Sequence, residues 1–165
     1  MARLLVVHHS PSRSLTRLTD AVLAGTHDPQ ISDVEVVVRP ALEASADDVL
    51  TADGYLLGTA AHFGYMSGAL KHFFDTTFLL VGGALDDSGG GSAAGSGGPT
   101  ARRPFGLWVH GRYDTTGAVR SVRSIVGALG WTQAAPVLEV VGDVDERHDE
   151  AAYELGATLA ALLGS

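Results

Sequence analysis

The sequence predicts a single α/β domain in which a parallel β-sheet is covered by helices on both faces. Apolar, β-branched runs alternate along the chain with segments whose apolar residues recur at helical spacing. Strands that alternate with helices in this way form right-handed βαβ units and a parallel sheet. The chain has 165 residues, which is the size of one ordinary domain with one sizeable core.

The elements follow one another in a regular order. The first strand, RLLVVH at 3–8, is a continuous apolar run, as expected for a strand that is buried on both faces. Further strand signals follow at 34–39, 54–58, 105–110 and 136–141. Apolar residues recur every three or four positions in the segments 15–22, 70–78, 119–129 and 155–162, which predicts four helices. The short stretch 44–53 is interpreted as a brief additional helix.

Composition excludes several classes of protein. There are no cysteines, which excludes disulfides, thiolate metal sites and cysteine nucleophiles. The formal net charge is −8, so a basic face for nucleic acid is not expected. No apolar run is long enough for a membrane span, and the short apolar start reads as a strand rather than a signal peptide. We therefore expect a cytoplasmic protein that binds neither nucleic acid nor membrane.

One segment interrupts the alternation of strands and helices. Six of the thirteen residues from 86 to 98 are glycine. Such a tract buries too little apolar area to offset the entropy of ordering its backbone. We expect one domain over 1–165 with a flexible surface loop at about 86–98, and the alternative is a mobile flap over a site.

Polar side chains are concentrated after the first predicted strand. Ligands of open parallel sheets bind outside the carboxyl ends of the strands. The hydroxyls of Ser10, Ser12, Ser14 and Thr16 lie between this strand and the next helix, with Arg13 or Arg17 to add charge. Hydroxyls and backbone N–H groups at a helix N-terminus favour a phosphate, although simple N-capping is the alternative. The usual glycine-rich phosphate loops are absent.

Flat side chains follow the third and fourth strands. Phe63, Tyr65 and Tyr113 offer stacking faces for an aromatic ring system, while Gly64 and Gly111 allow close approach of the backbone to a ligand. A ligand with a phosphate at one end and a planar heteroaromatic ring at the other fits all three loops. Flavin mononucleotide (FMN) has this form.

The stretch DGYLLGTAAHFGYMSGALKHFFD resembles a motif of the flavodoxin-like superfamily. The resemblance is to the branch of tryptophan-repressor-binding-protein type quinone reductases and NAD(P)H-dependent FMN reductases. That branch has the pattern G-[ST]-P-x-x-[FY]-G-x-[MP]-[SC]-[GA]-x-[LM]-K-x-[FL]-[LI]-D. Ala60 replaces the usual proline. The resemblance implies a three-layer sandwich whose five-stranded parallel sheet has the order 2-1-3-4-5, with FMN as cofactor and a homodimer or homotetramer as an ordinary assembly.

By this resemblance three loops hold the cofactor. The phosphate loop comprises Ser10, Ser12, Arg13, Ser14 and Leu15, and departs from carrier flavodoxins because Arg13 and Leu15 replace a glycine and a threonine. The residues expected beside the flavin ring are Thr59, Ala60, Ala61, His62, Phe63, Gly64, Tyr65 and Met66. Those expected at the ring edge are His110, Gly111, Arg112, Tyr113 and Asp114.

The hypothesis for function is an NAD(P)H-dependent oxidoreductase that uses NADPH or NADH to reduce quinones or similar aromatic acceptors. The segments 10–16 and 59–66 contain no acid, whereas carrier flavodoxins crowd acids around the flavin. His62 or His110 is the candidate catalytic group that protonates the product, and no metal is expected.

Three alternatives remain open. One is a flavodoxin-type electron carrier without nicotinamide activity, and another is a ligand-free regulatory domain. The third is a metal hydrolase at the same sheet edge, for which the candidate ligands are His8, His9, His62, His110 and Asp114.

Overall fold

A computed structural model describes residues 1–91 and 98–164. The strands in this part of the chain are β1 (Ala2–His8), β2 (Val34–Pro40), β3 (Gly54–His62), β4 (Tyr65–Met66), β5 (Pro104–Gly111), β6 (Thr132–Gln133) and β7 (Leu138–Val141). The helices are α1 (Arg13–Thr26), α2 (Ala46–Thr51), α3 (Gly68–Thr77), α4 (Thr116–Ala128) and α5 (Glu146–Gly164). None of these helices combines the length and apolar character that a membrane span requires.

The strands form one sheet in the order β2-β1-β3-β5-β6, with β4 paired to β3 and β7 paired to β5. The long pairings are all parallel. With β5 as the predicted fourth strand and β6 and β7 as the fifth, the order 2-1-3-4-5 is confirmed. The brief helix is also confirmed as α2, which begins with a capping box formed by Ser45 and Asp48.

The predicted fifth strand at 136–141 is wrong in its bounds. The strand in that range is β7, Leu138–Val141, which pairs with the end of β5. A further short strand, β6, lies ahead of the predicted bounds and pairs with the start of β5. The two pieces are separated by a segment that contains Pro136. Proline has no N–H to donate to a ladder, which explains why the pairing is interrupted there.

Each face of the sheet carries its own apolar core. One core packs α1 and α5 against the sheet, and Trp108 lies fully buried within it. The other packs α2, α3 and α4 against the opposite face and contains Phe73 and Phe74. In that second core Tyr55 and Trp131 stack with their ring centroids 3.8 Å apart. The molecule is therefore the expected three-layer sandwich.

Hydrogen bonds flank the glycine-rich segment on both sides of residues 92–97. The carboxylate of Asp86 accepts hydrogen bonds from Ser88 and Gly90, and Leu85 forms a bridge with Gly91. Beyond the segment, Thr100 is buried, donates to the carbonyl of Val81 and accepts from Trp131 Nε1. Residues 86–91 therefore form a closed, hydrogen-bonded turn, and the flexibility expected for the loop at about 86–98 stays a prediction. Residues 92–97 lie outside the described residues.

The sheet brings the three candidate loops to one edge. His8 at the end of β1 pairs with Gly58 on β3, and Ala60 on β3 pairs with His110 on β5. The chain that follows each of these three neighbouring strands therefore leaves the sheet on the same side, as the rule for parallel sheets predicts.

Candidate functional site

The first loop ends in a helix N-terminus that presents hydrogen-bond donors. Ser12 is the N-cap of α1, and its Oγ accepts from the backbone N–H of Leu15 at 3.2 Å. The capping alternative is thus observed, yet a hydroxyl that accepts one N–H still has its own hydrogen to donate. The N–H groups of Arg13 and Ser14 in the first turn have no partner within the helix. No acidic residue lies in that turn, so this end of α1 suits an anion.

Three side chains of this loop already have partners elsewhere in the molecule. The side chain of Leu15 is fully buried in the core beneath α1, so only its backbone lies near the loop. Arg17 forms an ion pair with Asp149 at 2.6 Å and donates to the carbonyl of Val144, which turns it towards α5. Ser10 Oγ already lies 2.9 Å from His8 Nδ1. Arg13, in contrast, is exposed and has no ion pair with any described residue.

The second loop is a tight β-hairpin, which the sequence analysis missed. β3 runs on to His62 and pairs antiparallel with β4, so the segment expected as a loop is mostly strand. The two turn residues are Phe63, with φ +49°, and Gly64, with φ +77°. Positive φ at both central residues is the signature of a type I′ turn, where asparagine and glycine are usual and phenylalanine is strained.

That strained side chain is held in solvent. The relative exposure of Phe63 is 107%, and Tyr65 beside it is 44% exposed. A large aromatic side chain at positive φ with no packing partner costs stability and contributes nothing to the core. The turn therefore presents an aromatic face at the edge where ligands bind in this class of sheet.

Two other predicted residues of the second loop have buried side chains that contact the interior beneath the hairpin. Thr59 is fully buried, and its Oγ1 donates to the carbonyl of Ala60 and accepts from the N–H of Ser67 at 2.9 Å. Met66 is buried in the core beside α3. The side chains of Thr59 and Met66 both face the interior, so only their backbone is left to contact a ligand, and their place beside the flavin ring stays a prediction. Ala61 is half-buried and its neighbour His62 is exposed.

The third loop presents a third exposed aromatic side chain and one cation. Tyr113 is 87% exposed. Arg112 lies 3.8 Å from Asp143, an acid contributed by the segment after β7 that the sequence analysis did not consider. Asp114 accepts from the backbone N–H and the hydroxyl of Thr116. These hydrogen bonds lower the pKa of Asp114, so its charge is fixed at the start of α4.

Two glycines of the third loop and α4 allow the loops to pack closely. A Cβ added to Gly117 would lie 1.8 Å from the carbonyl oxygen of Gly64, so α4 touches the hairpin backbone. A Cβ on Gly111 would lie 3.0 Å from the carbonyl oxygen of Asp114. Glycine is a poor helix former, so a glycine in the first turn of α4 is the signal in the sequence for this close contact.

Histidines surround the same edge. His110 Nε2 lies 2.8 Å from the carbonyl oxygen of Gly142, and because a carbonyl only accepts, the hydrogen of that ring is on Nε2. The rings of His9 and His62 lie 6.3 Å apart. Burial, and then the charge of His62, lower the pKa of His9. Within residues 1–91 and 98–164, no three histidine, aspartate or glutamate side chains are grouped to hold a metal.

Comparisons with other proteins give a family and a fold. Residues 12–143 match the family model described as NADPH-dependent FMN reductase. A flavodoxin of Aquifex aeolicus is 28% identical over 98 residues, which are 59% of this chain. The match covers 52% of that flavodoxin, so the chain spans about half the length of the curated relative.

Solved structures match over nearly the whole chain. A flavodoxin from the domain Archaea superposes with a TM-score of 0.75 and 15% identity, covering 99% of each chain. A WrbA-like flavodoxin of Agrobacterium tumefaciens superposes with a TM-score of 0.69 and 15% identity, covering 99% of this chain and 98% of the other. At these identities the similarity establishes the flavodoxin-like fold.

Proposed function

Because the chain belongs to the NADPH-dependent FMN reductase family, we propose that it binds FMN without a covalent bond and acts as an NAD(P)H-dependent oxidoreductase on quinones or similar aromatic acceptors. One observation supports the proposal above all others. A helix N-terminus free of acids and two exposed aromatic side chains, Phe63 and Tyr113, follow neighbouring strands at one sheet edge.

The residues of the first loop fit a phosphate. The N–H groups at the start of α1 supply backbone donors, and the hydroxyls of Ser12 and Ser14 supply side-chain donors. The guanidinium of Arg13 is exposed in the same turn and is the one cation of the loop that no described acid already pairs. We propose that Ser10, Ser12, Arg13 and Ser14 hold the phosphate of FMN.

The residues of the second and third loops fit a planar ring. The exposed rings of Phe63, Tyr65 and Tyr113 offer apolar faces. Ala60, Ala61 and Gly111 offer backbone at the sheet edge without a bulky side chain. We propose that these residues, with His62, Gly64, His110, Arg112 and Asp114, surround the flavin ring and the acceptor that stacks on it.

The strain at Phe63 gives a test of this assignment. Replacing Phe63 by asparagine should raise the free energy of unfolding by about 1 kcal/mol, because asparagine tolerates positive φ. The same change should weaken riboflavin three- to tenfold, since an aromatic contact is worth about 0.5–1.5 kcal/mol. Urea unfolding and flavin fluorescence titration measure the two effects. An unchanged riboflavin affinity would place Phe63 outside the ring site.

The chain itself contributes binding, orientation and a proton. When bound, FMN supplies the hydride chemistry, which is the cofactor's own. Of the two candidate catalytic histidines, His110 has its Nε2–H committed to the carbonyl of Gly142. His62 is exposed at the hairpin beside Phe63. We therefore propose His62 as the group that delivers a proton to the reduced acceptor, with His110 orienting the third loop.

A flavodoxin-type electron carrier is the second candidate. It is favoured by the flavodoxin of Aquifex aeolicus among the relatives and by two acids, Asp114 and Asp143, at the third loop. The first loop and the hairpin contribute no acid of their own, and Arg112 offsets Asp143. The balance of charge around the proposed ring site therefore favours the reductase.

An anaerobic experiment separates the two candidates. The FMN-loaded protein is mixed with NADPH or NADH and then with benzoquinone, while the absorbance near 450 nm is followed. A reductase is bleached by a nicotinamide and recovers its colour with the quinone. Failure of both nicotinamides, together with a stable one-electron reduced form on dithionite titration, would identify a carrier. Light scattering on the same sample tests the proposed homodimer or homotetramer.

A further inference from the structure

Four side chains form a continuous chain of hydrogen bonds beneath the first loop. Trp108 Nε1 lies 3.2 Å from Thr19 Oγ1, Thr19 Oγ1 lies 2.8 Å from Ser10 Oγ, and Ser10 Oγ lies 2.9 Å from His8 Nδ1. Trp108 and Thr19 are buried, whereas His8 and Ser10 are half-buried at the mouth of the loop. These hydrogen bonds therefore lead from the core to Ser10, which is proposed to bind the phosphate of FMN.

The direction of these hydrogen bonds follows from their chemistry. An indole nitrogen only donates, so Thr19 Oγ1 accepts from Trp108. The hydroxyl hydrogen of Thr19 then needs an acceptor, and among the described residues Ser10 Oγ is the acceptor within reach. Because Trp108 donates to Thr19, Thr19 donates in turn to Ser10, and Ser10 Oγ is the acceptor of that hydrogen bond.

The hydroxyl hydrogen of Ser10 can be donated in one of two directions, to His8 or towards the loop. A hydroxyl has one hydrogen and two acceptor lone pairs. When His8 Nδ1 is bare, Ser10 donates its hydrogen to that nitrogen. When His8 Nδ1 carries a hydrogen, His8 donates to Ser10, and the hydrogen of Ser10 is released towards the loop.

We propose that His8 is a positioning residue for the phosphate of FMN: only when its Nδ1 carries a hydrogen can Ser10 donate to the phosphate. The inference rests on the proposed binding of FMN through Ser10. It adds His8, Thr19 and Trp108 to the phosphate site as residues that act through Ser10 and do not touch the ligand. Phosphate binding and the hydrogen on His8 Nδ1 are then thermodynamically linked.

The surroundings of His8 make the linkage sensitive to pH. Burial is the main cause that lowers the pKa of His8; the charge of His9 lowers it further, and Asp20 opposes both. The strand neighbours of His8 are Pro40 and Gly58, which carry no charge. In the protein without ligand His8 is therefore mainly neutral at pH 7. A neutral ring carries its one hydrogen on either nitrogen, whereas the cation always carries one on Nδ1, so phosphate binding favours the cation and raises the pKa of His8. The part of the FMN affinity that depends on the cation is complete at low pH and is lost as the pH rises through the raised pKa.

Nitrogen NMR of the histidine ring tests the proposal without any variant. Spectra of the ¹⁵N-labelled protein are compared alone, with riboflavin and with FMN. We expect FMN to move the His8 Nδ1 resonance to the protonated range and to raise the pKa of His8, while riboflavin, which has no phosphate, does neither. If FMN binds and His8 Nδ1 stays unprotonated, the proposed relay from His8 through Ser10 to the phosphate is wrong. If neither flavin binds, it is the proposed function that fails.

A double-mutant cycle separates the relay from a simple charge effect. The dissociation constants of riboflavin and of FMN are measured between pH 5 and pH 8, and their ratio gives the preference for FMN. The same ratio is measured for the His8→Asn variant. Dividing one ratio by the other removes the effect of the ionisation of FMN itself. Each unit by which FMN raises the pKa of His8 should add about tenfold to the relative preference for FMN at pH 5. The exposed control His72→Asn should leave the ratio unchanged.

The cycle is completed in the Ser10→Ala background, where the low-pH gain from His8 should largely disappear. A gain of the same size without the hydroxyl of Ser10 would show that His8 acts only through its charge, which would overturn the relay.

Discussion

Replacing Gly117 by alanine is expected to displace the β3–β4 hairpin and to weaken the binding of FMN and riboflavin alike. The added Cβ would lie 1.8 Å from the carbonyl oxygen of Gly64. The backbone of α4 fixes the position of this Cβ, and the oxygen that it meets belongs to the backbone of the hairpin, so no side-chain rotation can relieve the contact. We expect a loss of about 2–4 kcal/mol in the free energy of unfolding. Because the hairpin is proposed to border the ring that both flavins share, both affinities should fall at least about tenfold.

The same helix offers a matched control. Gly127 lies near the other end of α4, and a Cβ added there would meet no atom within 4 Å. The change Gly127→Ala should therefore stabilise the protein by about 0.5–1 kcal/mol, since alanine is the better helix former. Urea unfolding and flavin fluorescence titration on both variants make the comparison. Wild-type stability and flavin affinity in Gly117→Ala would show that α4 does not position the hairpin.

Introducing a negative charge at the N-cap of α1 should separate the two flavins. Ser12→Asp keeps a good N-cap but places a carboxylate where the phosphate of FMN is proposed to lie. We expect FMN to be weakened by about 2 kcal/mol, or about thirtyfold, because two like charges a few ångströms apart near a protein surface repel at least this strongly. Riboflavin brings no phosphate, so its affinity should stay within about twofold.

The neutral variant Ser12→Asn is the control, because asparagine caps helices as well as aspartate does. It should preserve FMN affinity within a few-fold. The comparison of the two variants at low and high salt isolates the charge, since screening should reduce the difference. Equal losses of FMN and riboflavin in Ser12→Asp would move the phosphate away from this helix.

The outline of the fold was predictable from sequence, and so was the sheet edge at which the candidate site is proposed. Periodicity identified the five principal strand regions and the helices, because a strand buried on both faces needs a continuous apolar run and an amphipathic helix needs apolar residues every three or four positions. Parallel strands place their following loops at one edge, so the loops after β1, β3 and β5 could be singled out without coordinates. The split of the last strand into β6 and β7 was missed because strand pieces of two and four residues carry little periodic signal.

The roles of individual side chains depended on tertiary structure. Sequence placed Thr59, Leu15 and Met66 in the site, yet all three side chains are buried, because the face on which a residue lies is set by what packs against it. The hairpin at Phe63 escaped notice since a phenylalanine in a type I′ turn contradicts local preference and is held there by the packing of α4 on Gly64.

By itself the sequence determined an α/β domain with a parallel sheet, hydroxyls after one strand and aromatic residues after two others, because those properties are local and repeat along the chain. The flavodoxin-like strand order was implied only by the resemblance of residues 53–75 to a family motif. Only the tertiary structure decided which groups are available. Arg17 is paired with an acid 132 positions away, and Ser10 is joined to Trp108 through Thr19. Such partners are distant in sequence and are brought together by α1 packing on α5 and the sheet, so no local pattern records them.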